Sequence, residues 1–109
     1  REIGLPVVRN LEAVRADALV RAGRPREAEA AYRREVAAFP ANLRAHANLA
    51  ALLFAERRFR DANAVLAAMV AANPGPRACH VAAVTLEAVG DRVGAARWRA
   101  CAPERKRKG

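Results

Sequence analysis

At 109 residues, 53% hydrophobic but only 5% aromatic, the chain suits one domain with a core of many small alanine contacts. It holds neither the apolar run of roughly 20 residues that a membrane helix needs nor the alternating pattern of strands, and its two cysteines are too few for a disulfide scaffold or a zinc cage. The net charge of +9 is almost wholly arginine and keeps an anionic partner in play, although solvated arginine-rich helix faces are the plainer account.

The lead-in, residues 1–8, is apolar from Ile3 to Val8, as if it packed on a preceding helix or domain. The first residue is Arg1, not Met, so the chain is expected to be a part of a longer protein. No signal peptide is visible, but a part of a longer protein would have lost one, so the compartment stays open, with the cytoplasm favoured. A first helix is predicted at about 9–22. A second, at about 25–38, opens on Pro25, where the missing N–H costs nothing. Pro40 closes it, and Asn42 can cap a third helix at about 42–55. A fourth, at about 59–72, ends before Pro74; a fifth spans about 76–89. Asp91 can cap the sixth, about 92–101, which leaves a basic tail at 103–109.

These elements repeat. Ala28 and Ala62, Tyr32 and Leu66, Pro40 and Pro74 are each 34 residues apart. Gly90-Asp91-Arg92-Val93-Gly94-Ala95 begins a third copy, one residue short of the period. The period is that of the tetratricopeptide helix-turn-helix unit. The sequence resembles that family over almost all of 9–102, with repeats at about 9–42, 43–76 and 77–102. The second repeat fits best, with Ala50, Leu53, Phe59, Ala62, Leu66, Met69 and Pro74 on the family's small, large and proline positions. In the first, Ala16, Leu19, Gly23, Ala28, Tyr32 and Pro40 fit, whereas Glu12, Arg15 and Glu35 do not and point to an open face. In the third, placing the missing residue in the linker 73–76 buries Ala83 and Leu86; the other register would bury Glu87. Arg99 stands where an apolar residue is usual. The resemblance implies an all-α fold, a right-handed α-α superhelix of three helical hairpins. Ala28 and Ala62 would lie where paired helices cross and a larger side chain would force them apart.

The resemblance also implies a concave groove lined by the first helix of each repeat. Carried over, its principal residues are Asp17, Val20 and Arg21; Arg44, Asn48, Ala51 and Phe54; and Arg77, His80 and Val84. Small alanines admit a backbone or a helix, Phe54 is a candidate anchor or equally a core residue, and Arg44 and Arg77 can fork onto carboxylates. A protein or peptide partner, extended or helical and partly acidic, follows. The dicarboxylate clamp of chaperone-binding members is only partly present. Asn48 matches and Arg77 replaces a lysine, but Ala13, Asp17 and Val81 stand at its other positions. A chaperone C-terminus is therefore not the expected partner.

Other chemistry finds little support. His46, on a packing position, and His80, on a groove position, need not converge, so no metal is expected. Cys79 and Cys101 lie eleven residues either side of Gly90, on opposite arms of one hairpin. Free buried thiols are expected, a disulfide being the alternative if the Cα atoms approach within about 7 Å. The chain has no serine and no nucleophile elbow, phosphate loop or helical metal motif, so neither catalysis nor a cofactor is expected. The tail run Arg105-Lys106-Arg107-Lys108 lacks interleaved aromatics and reads as a disordered or added segment. The expected function is a protein-interaction or scaffolding module. The alternatives are an electrostatic nucleic-acid binder, self-assembly through exposed end helices near Trp98, or an accessory region. The last rests on Asn10-Leu11-Glu12 and Met69-Val-Ala-Ala-Asn-Pro74, which are similar to repeat modules appended to larger bacterial proteins, some with sulfatase-like hydrolase domains.

Overall fold

The computed structural model describes residues 10–101; the lead-in 1–8 and the basic tail 103–109 lie outside the described residues. Among them the chain forms six helices: α1 (Leu11–Arg21), α2 (Pro25–Ala38), α3 (Leu43–Ala55), α4 (Phe59–Ala72), α5 (Pro76–Ala88) and α6 (Arg92–Cys101). The most extensive packing is α1 on α2, α3 on α4 and α5 on α6, which makes three hairpins. The hairpins stack through α2 on α3 and through α5 on both α3 and α4.

Each hairpin turns in the same way. The amides of Arg24, Arg58 and Asp91 donate to the carbonyls of Leu19, Leu53 and Leu86, at 2.9, 2.9 and 2.8 Å. This closes the first helix of each pair through a residue in the left-handed region. Glycine fills that place in hairpins one and three (Gly23, φ 78°; Gly90, φ 89°), and Arg57 fills it in hairpin two (φ 63°). Pro25 and Pro76 start α2 and α5. The Asn42 side chain accepts from the amide of Ala45 at 3.1 Å, and that of Asp91 from Gly94 at 2.9 Å, so both expected caps form.

The core follows the repeat. Ala28, Ala62 and Ala95 are wholly buried, so no bulk separates the second helices from their partners. Tyr32, Leu66, Leu53, Leu86 and Met69 fill the space between the hairpins. Fully burying one such side chain is worth about 1.5–3 kcal/mol. Ala83 and Leu86 are buried and Glu87 is exposed, which is the register chosen for the third repeat. Arg58 ties hairpins one and two together on the surface, donating to Glu29 at 2.6 and 3.2 Å and to Asp61 at 3.0 Å. Chiefly through that hydrogen bond, Arg58 holds the Glu29 carboxyl below the usual carboxylate range.

Two expectations are corrected. Glu35 does not mark an open face: it is buried, and its Oε2 accepts from the Asn10 amide and from Asn42 Nδ2, each at 2.8 Å. Asn42 Nδ2 also donates to Asn10 Oδ1 at 2.7 Å. The polar residue at an apolar position is thus the centre of a network that joins the start of α1 to the start of α3 through Oε2, while its Oε1 is buried without a hydrogen-bond partner among the described residues. Arg99 also has a carboxylate, Glu87, at 2.6 Å. The second correction concerns the thiols. Cys79 and Cys101 are joined in a disulfide, their Cα atoms 6.1 Å apart, because the antiparallel arms of the third hairpin carry both side chains to the same level. This staple fastens α6, which fully buries only Ala95 and half-buries Trp98.

Candidate functional site

Because α3 lies directly against α5, the starts of the first helices converge. They surround an open cleft of about 670 Å³ whose polar lining comes from Asn10, Asn42, Arg44, Asn73 and Arg77. Arg44 and Arg77 are exposed and have no carboxylate partner among the described residues. The neighbouring carboxylate, Glu35, is buried and engaged with Asn10 and Asn42. Asn73 is fixed as well, its Nδ2 donating to the Pro40 carbonyl at 2.8 Å and to that of Met69 at 3.0 Å. The two guanidinium groups are therefore the charge that the cleft offers. At α5 the N-cap is Gly75, which supplies no side-chain cap, so the first-turn amides of Arg77 and Ala78 add partial positive charge beside them.

The other groove positions separate into open and closed. Val20, Arg21, Ala51, His80 and Val84 are exposed, and Asn48 is half-buried. Phe54 is not an open anchor: it is buried, with its ring 6.2 Å from that of Phe59 at 46°. Aromatic pairs favour such a tilted contact. Asp17 is half-buried and accepts a hydrogen bond from the Tyr32 hydroxyl, so its charge is directed into the first hairpin.

That pairing has a pH signature. Burial first, and the Asp17 hydrogen bond and charge second, push the Tyr32 phenol well above its ordinary value of 10.0. A group with a raised folded-state pKa adds stability that is present below the unfolded value and is lost as pH climbs towards the folded one. Stability should therefore decline from about pH 10 upward. Tyr32→Phe should remove that alkaline component while costing some stability at neutral pH. Urea midpoints at pH 7 and pH 10.5 for both proteins check this; equal alkaline losses would contradict it.

His46 is buried, its Nδ1 3.0 Å from the Asn42 carbonyl, and His80 is exposed on another helix. Among the described residues no three His, Cys, Asp or Glu side chains come together as a metal site. No helix among them is long and apolar enough to cross a membrane.

The match to known families agrees with the architecture. A family model described as a tetratricopeptide repeat matches residues 19–85, more than half the chain. The chain belongs to the tetratricopeptide repeat family. No curated protein gives a significant match to it. Tetratricopeptide repeats generally mediate protein–protein interaction or scaffolding. Within this tetratricopeptide stack, Asn10 stands on a groove position of the family pattern, whereas Asn42 and Asn73 are additions to the site that the pattern does not supply. Asn42 and Asn73 could be noticed in the sequence as paired asparagines beside Pro40 and Pro74. Nothing in the sequence says that Asn10 closes onto Glu35.

Proposed function

We propose that the protein is a non-catalytic interaction module that binds an extended or helical peptide of acidic character along its first helices. The observation that carries this reading is the pair Arg44 and Arg77, both exposed on one cleft whose nearby carboxylate is already engaged. A peptide carboxylate there would meet two planar guanidinium forks and the uncapped start of α5. Ala51 lets a backbone approach, and Val20 and Val84 offer aliphatic contact. Asn48 supplies a carboxamide midway.

The test uses a labelled acidic peptide and fluorescence anisotropy on the 109-residue chain. Arg44→Glu and Arg77→Glu should each weaken binding by about tenfold or more, as loss of an interface hot spot does. Arg26→Glu, on an exposed position away from the cleft, should change little. Unchanged affinity in both cleft variants would contradict the reading.

The charge of +9 favours one rival, electrostatic binding of nucleic acid. Its affinity would fall steeply with salt and would largely vanish on deleting 105–108. Peptide binding in the cleft should survive that deletion. Self-assembly through the end helices near Trp98 is a separate alternative that sedimentation at several concentrations tests, and service as an accessory region of a larger bacterial, sulfatase-like protein is another.

A further inference from the structure

The repeat itself does not require a bridge where the disulfide stands. Counted back along the repeat, Cys79 and Cys101 correspond to His46 and Ala68 in hairpin two and to Glu12 and Arg34 in hairpin one. Glu12 and Arg34 form an ion pair between α1 and α2, with Arg34 Nη2 donating at 3.1 Å. Ala68 has no polar group with which to link to His46, and hairpin two closes without one. The same place between paired helices thus carries a salt-sensitive link in hairpin one and a redox-sensitive link in hairpin three.

Hairpin three depends on its link more than the others do. At ten residues α6 is the shortest of the six helices, below the roughly 12–15 at which an isolated helix becomes even marginal. It carries Gly94, a poor helix former, and a Cβ added there would stand 2.9 Å from Leu86 Cδ1. It wholly buries only Ala95 and half-buries Trp98. The Arg99–Glu87 pair lies on the surface, where such pairs contribute little. The bridge is therefore the firmest hold that α6 has.

The two ends of the bridge are not equally open. Cys79 is 1% exposed. Cys101 is exposed and lines the open cleft between α4 and α6, with Ala67, Leu86 and Trp98. Exchange requires a thiolate to reach one of the two sulfur atoms, and bridges open to solvent are the exchangeable ones. We propose that the Cys79–Cys101 bridge is a thiol-exchange switch, opened at Cys101 by a dithiol reductant, and that its opening releases α6 and uncovers Cys79 and Leu86 on α5. One thiolate of the reductant bonds to Cys101 Sγ as the Cys79–Cys101 bond breaks. The electron pair goes to Cys79 Sγ, which takes a proton from water as α6 swings away. The second thiol of the reductant then loses its proton and displaces Cys101. The reductant leaves as a disulfide, two electrons have passed to the chain, and both cysteines are thiols. Exchange with an oxidised dithiol runs the same steps backwards. The switch holds whether or not the Arg44–Arg77 cleft binds a peptide.

The experiment treats the oxidised 109-residue chain briefly with 2-mercaptoethanol, quenches with acid, and locates the mixed disulfide by mass spectrometry of peptides. Adducts on Cys101 should exceed those on Cys79 by about tenfold or more. Reduction by dithiothreitol is then timed in the native chain and in Leu66→Ala, whose core is weakened. Direct attack on an open sulfur predicts rates within about threefold of each other, whereas attack that waits for global unfolding speeds up with the loss of stability. Amide exchange in residues 92–101 should rise on reduction and fall again when oxidised dithiothreitol restores the bridge. Adducts shared equally or found chiefly on Cys79, a larger acceleration in Leu66→Ala, or α6 protection that ignores the redox state would each overturn the proposal.

Discussion

Leu66→Ala should lower the free energy of unfolding by about 2–5 kcal/mol. Leu66 is wholly buried in α4, at the place that Tyr32 holds in α2. The core cluster to which it belongs is rich in alanine, so little bulk can move in to fill the void. The loss therefore includes a cavity term beyond the transfer of the missing methyl groups. Val93→Ala on the surface, where the side chain is 69% exposed, is the matched control and should change stability by no more than about 0.5 kcal/mol. Urea unfolding followed by circular dichroism compares them. The Leu66 variant should show a lower midpoint with an unchanged slope. A loss no larger than that of the Val93 control would mean that α3 and α5 do not close over α4 as described.

The second large effect belongs to the disulfide. Cys101→Ser, or reduction of the native chain, should loosen α6 while the first two hairpins stay folded. The bridge closes a loop of sequence separation 22. A loop of that size is worth about 3 kcal/mol in the chain-entropy account. The effect is local because α6 packs principally on α5 and fully buries only Ala95. Amide exchange within residues 92–101 should then speed up about a hundredfold, since every 1.4 kcal/mol is a factor of about ten. Exchange in α3 and α4 should barely move. Equal protection of α6 with and without the bridge would show that Ala95, Trp98 and the Arg99–Glu87 pair suffice to hold it.

The fold was legible in the sequence because its determinants are local and recur. Ala28 and Ala62 at one period, Pro40 and Pro74 after the second helices, and caps at Asn42 and Asp91 each have a short-range physical cause. The features that escaped depend on partners far along the chain. Glu35 looks like a defect until Asn10 and Asn42, 25 and 7 residues away, are seen to donate to it. The disulfide hinged on whether two arms of a hairpin place their sulfur atoms at one level, which spacing alone left open. The candidate groove was legible in Arg44 and Arg77 but not in Phe54. That side chain turns towards Phe59 and closes into the stack, so Phe54→Ala would report on packing before it reported on any ligand. The open ring is Phe59, one place where hairpin two departs from the pattern of hairpin one.

Everything rests on paired helices meeting at alanines that recur along the chain. The most direct measurement is a set of nuclear Overhauser contacts from selectively labelled alanine methyl groups. The methyls of Ala28, Ala62 and Ala95 should each show cross-peaks to side chains of the first helix in their own hairpin, α1, α3 and α5 respectively. Methyl groups facing solvent, or cross-peaks that follow no common pattern among the three, would contradict the repeat and the cleft built on it.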